Sequence, residues 1–325
     1  MPVNSNKPER WKSDIVQSVD FYNNWFMRFA PKAYCDTRIE TTKRVMDALK
    51  WTDNLADINP IVLRQNPSIL PVLRMSTAPP IARDRLIGLA GISPNLVRSM
   101  EISKHVPPQM GETKINTELQ KISQVIANLL DKEIFPWLET TTKPLTTKPL
   151  EADVQRAATI VADRLCGAVA DPIIRNAQEQ RQLAYIGQWL EKRGYTLIKA
   201  GSRLKFNEMM PGTFSFRLNV PVQQEGRAKC VNIPIDTVIM PLQAKPGDFP
   251  LLIEAKSAGD FTNTNKRRKE EATKVSQLRS TYGNNICFII FLCGYFDSGY
   301  LGYEAAEGID WVWEHRIDDL AELGI

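Results

Sequence analysis

The stretch LLIEAKSAGD, residues 251–260, leads three apolar residues into a glutamate and a lysine and then stops at small residues and glycine. Side chains alternate between the two faces of a β-strand, so Glu254 and Lys256 share one face while Ile253 and Ala255 share the other. Burying two charges in a core that has no use for them is costly, even after the surroundings relax. The spacing therefore predicts a functional charged pair, and an exposed pair on an edge strand is the alternative interpretation.

A second acidic residue lies inside the preceding apolar stretch, KCVNIPIDTVIM. Ile233 and Ile235 fall on one face of this predicted strand, so Asp236 is expected on the opposite face. Asp236 precedes Glu254 by 18 residues, which leaves room for a turn between adjacent antiparallel strands. If the two strands pair, Asp236, Glu254 and Lys256 converge at one end of a sheet.

Two carboxylates and a lysine on one sheet face suit the hydrolysis of a phosphodiester. Carboxylate oxygens are ligands that Mg²⁺ accepts, and the bound ion polarises a phosphate and lowers the pKa of its water. A lysine ammonium orients the attacking water, helps to deprotonate it, or stabilises the charge that develops on the phosphate oxygens. We therefore expect Asp236 and Glu254 to bind Mg²⁺, with Mn²⁺ as a substitute, and Lys256 to assist the water.

The amino-acid composition argues against several other kinds of site. The 325 residues include only two histidines, which argues against multi-histidine zinc sites and histidine-centred nucleases. The five cysteines are scattered and form no CxxC pair, so neither a cysteine zinc site nor a disulfide framework is expected. The net charge of +4 is compatible with a nucleic-acid partner without demonstrating one. No apolar run approaches the ~18 residues that span a bilayer, so we expect a cytoplasmic protein with no membrane association.

Residues 1–140 are predicted to form a helical N-terminal domain. Apolar and aromatic residues recur at helical spacing from Ile15 to Phe26, and this helix is predicted to end before Pro31. A second amphipathic run spans residues 115–138.

The tandem repeat TTKPLTTKPL at residues 141–150 predicts the domain boundary. Its Thr-Lys-Pro units are incompatible with a helix and indicate an extended linker. Residues 151–325 then form a second domain, and a surface loop inside a single domain is the alternative.

Helical and strand-like segments alternate after this linker. An amphipathic helix over residues 171–195 is predicted to end at Gly194. TLIKA, FSFRLNVPV and KCVNIPIDTVIM follow as strand-like segments, and LLIEAKS is succeeded by a polar helix at about 264–282. The next segment, ICFIIFLCGYF, has the composition of a strand buried on both faces. This order predicts an α/β (α+β) core with a mixed sheet flanked by helices.

Asp236 together with Glu254-Ala255-Lys256 matches the PD-(D/E)XK nuclease signature, although Pro234-Ile235-Asp236 departs from a strict Pro-Asp. More of the chain, including GDFTNTNKRRKEEATKVSQLRSTYG, ADPIIRNAQEQRQL, PPIARDRLIGLAGIS and SVDFYNNWFMRFAP, resembles type II restriction endonucleases of the XamI type. This resemblance implies Mg²⁺-dependent cleavage of double-stranded DNA at a short palindrome. A close relationship would imply GTCGAC as that palindrome.

Several residues near the predicted site are candidates for supporting roles. A basic run at the start of the helix after the motif strand would contact phosphates, or else forms a solvated face partly neutralised by neighbouring glutamates. Gln277 on that helix and Glu179 on the preceding long helix would support the metal site, or else are ordinary surface residues. The basic run consists of Lys266, Arg267, Arg268 and Lys269.

Residues 85–101, RLIGLAGISPNLVRSME, indicate a helix-turn-helix. Gly91 permits the tight turn, Ser93 is expected to cap the next helix, and Pro94 suits its first position. In such a unit one set of polar residues would face the major groove and two upstream arginines would contact phosphates. The groove-facing candidates are Asn95, Arg98 and Ser99, and the phosphate-contacting ones are Arg83 and Arg85. An ordinary helical hairpin is the alternative.

The sequence therefore predicts a type II restriction endonuclease with a helical N-terminal domain and a PD-(D/E)XK catalytic domain. A palindrome has two-fold symmetry, so a homodimer with one active site per DNA strand is the expected assembly. Two other functions remain open. One is a repair or recombination nuclease of the same fold that is selective for DNA structure. The other is a helix-turn-helix DNA-binding regulator with an inert core.

Overall fold

The structure is a computed structural model that describes most of the chain and resolves two compact units. We call the first the sheet unit, Met1–Phe29 with Ile174–Ile325, and the second the helical unit, Ala30–Ile173. These units are bounded differently from the domains predicted above, and most of the predicted linker lies outside the described residues. The description covers residues 2–139, 149–199, 205–223, 230–262 and 264–325, and for residues 264–267 it covers the backbone only.

The N-terminal part of the chain is mostly helical, as predicted. Its helices are α1 (Pro8–Trp51), α2 (Pro60–Gln65), α3 (Leu70–Met75), α4 (Arg83–Ala90), α5 (Pro94–Arg98) and α6 (Glu112–Leu129). They are followed by α7 (Glu151–Glu191), whose last residues, from Ile174 on, belong to the sheet unit. Among the described residues, no helix has the length and apolar character needed to cross a membrane.

The predicted end of the first helix before Pro31 is wrong, because α1 continues through Pro31 to Trp51. A proline inside a helix removes one hydrogen bond and costs about 3 kcal/mol. Val45, Ala48 and Leu49 on the later turns are almost completely buried in the core of the helical unit, and this burial offsets the cost. α7 likewise starts 20 residues before the predicted position and passes through Pro172, and its early turns are buried in the same core.

The chain turns between α4 and the five-residue α5 where the helix-turn-helix was predicted. The turn between α4 and α5 contains Gly91 with φ of +57°, a left-handed conformation that suits glycine. Ser93 occupies the N-cap position, but its side chain caps nothing. Instead, the buried carboxylate of Glu118 on α6 accepts a hydrogen bond from the Ser93 backbone N–H at 3.0 Å. The prediction that Ser93 caps the helix is therefore wrong, since its hydroxyl accepts no hydrogen bond from the first turn of α5.

The sheet unit contains a six-stranded mixed sheet whose strands follow one another in chain order. The first two strands pair in parallel, the next two pairings are antiparallel, and the last two are again parallel. The strands are β1 (Thr196–Leu197), β2 (Thr213–Val222), β3 (Val231–Met240), β4 (Leu251–Ala258), β5 (Phe288–Gly294) and β6 (Asp310–Trp313).

Helices connect the parallel strands. α8 (Thr264–Tyr282) links β4 to β5 and matches the predicted polar helix, and α9 (Ser298–Ala306) links β5 to β6. The mixed sheet flanked by helices is thus confirmed, whereas α9 and β6 were not predicted. Gly194, at φ of +87°, follows α7 as expected for a helix C-terminus.

Each face of the sheet packs a separate apolar cluster. On one face, Leu252 and Ile290 pack with Val275 and Leu278 of α8. On the other face, Ile253 and Phe291 pack with residues of α7, among them Ile186. Every residue of β5 is buried, which confirms the prediction of a strand covered on both sides.

The regular alternation predicted for β3 does not hold at Asp236. Ile233 and Ile235 belong to the same apolar cluster as Val238 and Met240, although these two pairs differ in parity. The strand therefore changes the face that it presents between residues 235 and 238. Because this change of face falls at Asp236 itself, the prediction that Asp236 lies opposite the face of Ile233 and Ile235 stays a prediction.

The neighbouring strand changes face at the same level. Arg217 of β2 has φ of +53°, and it lies between the rungs Phe216↔Thr237 and Leu218↔Ile235. A positive φ is uncommon for a residue with a side chain and persists only where the surroundings impose it. Both strands thus change face at the same level, next to Asp236, and alternation along a single strand does not reveal it.

We expect the centre of the sheet to be intolerant of truncation. Ile290→Ala in β5 removes a fully buried side chain and should lower the free energy of unfolding by about 2–5 kcal/mol, because the surrounding core cannot collapse into the cavity. Ile39→Ala makes the same chemical change at a residue of α1 that is 72% exposed, and it should change stability by less than about 0.5 kcal/mol. Urea denaturation of both variants tests this, and equal losses would contradict it.

Candidate active site

The ladder between β3 and β4 stops where the predicted acidic residues begin. Its rungs run from Ile239↔Leu251 to Thr237↔Ile253, and Asp236 and Glu254 are the next residues on the two strands. There the Asp236 carboxylate replaces a backbone partner, because its Oδ2 accepts a hydrogen bond from the Ala255 N–H at 2.9 Å. The end of the ladder thus brings the two carboxylates close enough to interact electrostatically.

Glu254 is 5% exposed and is held by two lysines. Its Oε1 accepts hydrogen bonds from Lys256 Nζ at 3.0 Å and from Lys274 Nζ of α8 at 2.8 Å. Its Oε2 is buried and meets no hydrogen-bond donor among the described residues. Lys274 also donates to the Pro234 carbonyl at 3.3 Å, so it connects α8 with both site strands.

A third carboxylate lies on the other side of Lys256. Oε1 of Glu271, on α8, is 3.8 Å from Lys256 Nζ. The Tyr300 hydroxyl, on α9, donates a hydrogen bond to Glu271 Oε2 at 2.5 Å. Glu271 is 1% exposed, and the nearby Glu304 is fully buried.

Burial and like charge shift the protonation of these groups. Burial, together with the neighbouring Glu254, raises the pKa of Asp236 to about 6. Burial and the neighbouring Glu271 raise the pKa of Glu304 to about 8. Burial disfavours the Lys256 ammonium, but Glu254 and Glu271 outweigh it, so the pKa of Lys256 is raised. The site therefore holds more negative charge than its two lysines neutralise.

A divalent cation fits this donor set. The unpartnered Oε2 of Glu254 and the half-buried Asp236 carboxylate are hard oxygen ligands close to each other. In the described part of the chain, no group of three or more His, Cys, Asp or Glu residues could hold a metal by itself. Mg²⁺ commonly takes one or two carboxylates and completes its shell with water and substrate phosphate oxygens. Two protein ligands are thus compatible with Mg²⁺.

Glu179 and Gln277, the two residues predicted to support the site, have different surroundings. Glu179 is half-buried on α7, pairs with Arg217 at 2.5 Å, and is the weakest of the groups that act on the pKa of Asp236. Gln277 is half-buried on α8, and its backbone carbonyl accepts a hydrogen bond from Thr281. Within the described residues, no hydrogen bond joins the Gln277 side chain to Asp236, Glu254 or Lys256.

Half of the predicted basic run is described. The Arg268 guanidinium stacks over the Tyr303 ring at 3.4 Å from its centroid, and Lys269 is exposed. The side chains of Lys266 and Arg267 lie outside the described residues.

Lys274 and Glu271 were missed by sequence reasoning, although the sequence contains a signal for them. Val275 and Leu278 of α8 are buried against the sheet, and residues three and four apart share a helix face. Glu271 precedes Val275 by four residues and Lys274 precedes Leu278 by four, so both point to the sheet. The overall polarity of α8 obscured this face.

In the helical unit, the predicted groove-facing residues lie on the outer side of α5. Asn95 and Arg98 are exposed and Ser99 is half-buried, while the intervening Leu96 and Val97 are fully buried.

The two upstream arginines differ. Arg83 Nε donates to Glu101 Oε2 at 2.7 Å, and Glu101 is also held by Arg74 at 2.7 Å. Arg85 is exposed and forms no ion pair with any described residue.

Comparison with known proteins gives two matches. The family model described as XamI restriction endonuclease matches residues 53–313. Over 322 residues, the chain is 55% identical to the type II restriction enzyme SalI of Streptomyces albus G, and the match covers 99% of each chain. No solved structure matches the chain significantly.

The raised pKa of Asp236 predicts how stability depends on pH without metal. An acid whose pKa is higher in the folded state binds its proton more tightly there, so stability falls as pH rises from about 4 to about 6. Asp236→Asn should remove this loss, making the variant more stable than the parent by up to about 3 kcal/mol above pH 6. Urea denaturation in EDTA across this range measures it.

A matched control separates this effect from general charge removal. Asp20→Asn makes the same change at an exposed residue of α1, and it should keep the pH dependence of the parent. A curve for Asp236→Asn that has the parental slope would contradict the prediction.

Proposed function

Since the chain belongs to the XamI restriction endonuclease family and is a type II restriction endonuclease, we propose that it hydrolyses both strands of double-stranded DNA at a short palindrome with Mg²⁺. Mn²⁺ is the expected substitute, and GTCGAC is the proposed site. The sheet unit would be a PD-(D/E)XK core with Asp236, Glu254 and Lys256 as its catalytic residues. The main support is Glu254, whose buried Oε2 lacks a donor among the described residues and lies beside a second carboxylate. The identity with a restriction enzyme favours this function over a structure-selective nuclease or an inert regulator.

Asp236 and Glu254 would hold the cation. The Ala255 N–H fixes Asp236 Oδ2, and the ammonium groups of Lys256 and Lys274 fix Glu254 Oε1. When bound, the ion would polarise the scissile phosphate and lower the pKa of a coordinated water. Lys274 would keep Glu254 oriented, because its bond to the Pro234 carbonyl anchors it to β3.

Lys256 would act on the reacting groups. Its ammonium has three donors, of which Glu254 takes one, so others are free to orient the attacking water and to stabilise the charge on the phosphate oxygens. Its ammonium lies between Glu254 and Glu271, and it would donate hydrogen bonds and offset charge in the site.

Specificity would come from the helical unit. We assign base contacts to Asn95, Arg98 and Ser99, since asparagine pairs with adenine and arginine with guanine in the major groove. Arg85 would contact phosphate, as would Arg268 and Lys269 in the sheet unit. Arg83 would instead stabilise the helical unit, because the buried Glu101 already holds it.

A homodimer is the proposed assembly, because a palindrome presents the same half-site to two copies related by a two-fold axis. The mass of the protein in solution, alone and with a duplex carrying the site, tests this arrangement.

The cleavage test uses a sequenced plasmid that carries GTCGAC and a second plasmid that lacks it. In Mg²⁺, the parent should give discrete fragments whose sequenced ends define the site and the stagger, and EDTA should abolish them. Asp236→Ala, Glu254→Ala and Lys256→Ala should each abolish cleavage, the first two by removing the cation ligands and the third by removing the ammonium that stabilises charge on the phosphate oxygens. Specific DNA binding should survive in at least one of the three.

Glu208→Ala is the matched control, since Glu208 is an exposed acid of the same unit, and it should cleave like the parent. Full activity in Glu254→Ala would refute the site assignment. A smear or nicking without discrete fragments would instead favour a structure-selective nuclease.

The proposed base contact of Arg98 and phosphate contact of Arg85 predict different effects on DNA affinity. Arg98→Ala should lower affinity for the specific duplex by about 1–3 kcal/mol and relax the preference at one base pair, with little effect on other sequences. Arg85→Ala should weaken binding to specific and unrelated duplexes alike, because phosphates carry no sequence information. Fluorescence anisotropy at fixed salt measures both. An Arg98→Ala variant with parental specificity would show that bases are read elsewhere.

A further inference from the structure

Glu271 has no assigned part in the proposed mechanism, yet it is 1% exposed and lies beside the proposed catalytic lysine. Its Oε1 is 3.8 Å from Lys256 Nζ and meets no hydrogen-bond donor among the described residues. A buried acceptor without a donor is destabilising, so most such groups in proteins are satisfied. This oxygen therefore lacks the partner that the nearby ammonium is placed to supply.

The other oxygen of Glu271 is fixed. The Tyr300 hydroxyl donates to Oε2 at 2.5 Å, and Tyr300 is itself 2% exposed between the helices and the sheet. Burial and Glu271 raise the pKa of this phenol far above its ordinary value, so the hydroxyl remains a neutral donor. Tyr300 thus orients the carboxylate so that Oε1 is the oxygen nearest to Lys256.

Of the two neighbouring acids, Glu271 is better placed to carry the negative charge. Burial raises the pKa of Glu271, whereas the Tyr300 hydroxyl, the Lys256 ammonium and a hydrogen bond from Glu304 favour its ionised form. Glu304, with a pKa of about 8, is mostly protonated at neutral pH. A single buried anion therefore faces Lys256 from α8.

Glu254, by comparison, interacts with more than one cation. Its Oε1 is shared by Lys256 and Lys274, and this same carboxylate is a proposed ligand of the divalent cation. Engagement of Glu254 with a cation weakens its hold on two nearby ammonium groups, since like charges repel. Lys274 then retains the Pro234 carbonyl as an acceptor. For Lys256, the neighbouring acceptor is the Glu271 carboxylate.

We propose that Glu271, oriented by Tyr300, is a positioning residue that holds the Lys256 ammonium in the active site while Glu254 is engaged with the cation. This inference rests on the proposed function, because it assumes that Lys256 acts in cleavage. It assigns to α8 and α9 a part in catalysis that the acid–acid–lysine motif does not contain.

The test compares two substitutions of Glu271 that separate charge from shape. Glu271→Gln keeps the size of the side chain and an oxygen for Tyr300 but removes the charge, and Glu271→Asp keeps the charge on a shorter chain. The single-turnover rate of cleavage of a duplex carrying the site should decrease from the parent to Glu271→Asp and further to Glu271→Gln, which should be about 10- to 100-fold slower than the parent. Thermal stability in EDTA should follow a different order, with Glu271→Gln more stable than Glu271→Asp.

Two further readouts accompany the rates. Affinity for the same duplex in Ca²⁺, in place of the catalytic cation, should be unchanged in both variants, because Glu271 acts on Lys256 and not on DNA binding. Tyr300→Phe should slow cleavage in the same direction as Glu271→Gln, because it releases the carboxylate without removing its charge. Glu307→Gln is the matched control, since it makes the same change at an exposed acid that follows α9, and it should cleave at the parental rate.

The outcomes distinguish this inference from the proposed function. If Lys256→Ala cleaves like the parent, the assigned active site is wrong. If Lys256→Ala is defective while Glu271→Gln is parental, or if Gln cleaves faster than Asp, the inference alone is overturned. Should Glu271→Gln fail to fold, Tyr300→Phe decides, and parental cleavage by that variant overturns the inference.

Discussion

The burial of several neighbouring carboxylates is the constraint on which the rest of the sheet unit depends. Glu254, Glu271 and Glu304 are all 5% exposed or less, and the half-buried Asp236 lies beside Glu254. Such groups repel one another in a medium of low polarisability, and each loses its hydration. Lys256 and Lys274 offset only part of this charge. The raised pKa values of Asp236 and Glu304 are the direct consequence, and the proposed cation would offset the charge that remains.

This constraint explains the local backbone. Had the β3–β4 ladder continued past Thr237↔Ile253, backbone groups would have paired with each other. Instead the Ala255 N–H is given to the Asp236 carboxylate, and both strands of the β2–β3 pair change face beside it. The apolar residues of β4 and β5 hold the strands in place by packing on both faces of the sheet. Stability in the core thus supports an unfavourable arrangement at its edge.

The helical unit uses buried carboxylates differently. Glu101 is held by two arginines, and Glu118 accepts the backbone N–H at the start of α5. Each acid there has its donors, so the charges serve to fix α4 and α5 rather than to create an unsatisfied site. This rigid support leaves Asn95 and Arg98 exposed on a short helix, an arrangement suited to reading a groove.

The sequence by itself determined the mixed sheet and the helical N-terminal part, because hydrophobic periodicity is a local property. Through the E-x-K spacing it also singled out Asp236, Glu254 and Lys256 as the proposed site. Only the tertiary structure decided that helices pass through Pro31 and Pro172, since the burial that offsets a proline comes from distant residues. The same holds for the change of face at Asp236, which coincides with one in the neighbouring strand. Lys274, Glu271 and Tyr300 join the site because helices between parallel strands return across one face of the sheet. Helical spacing marks the inward face of α8, but only the topology of the sheet decides which inward residues reach the site.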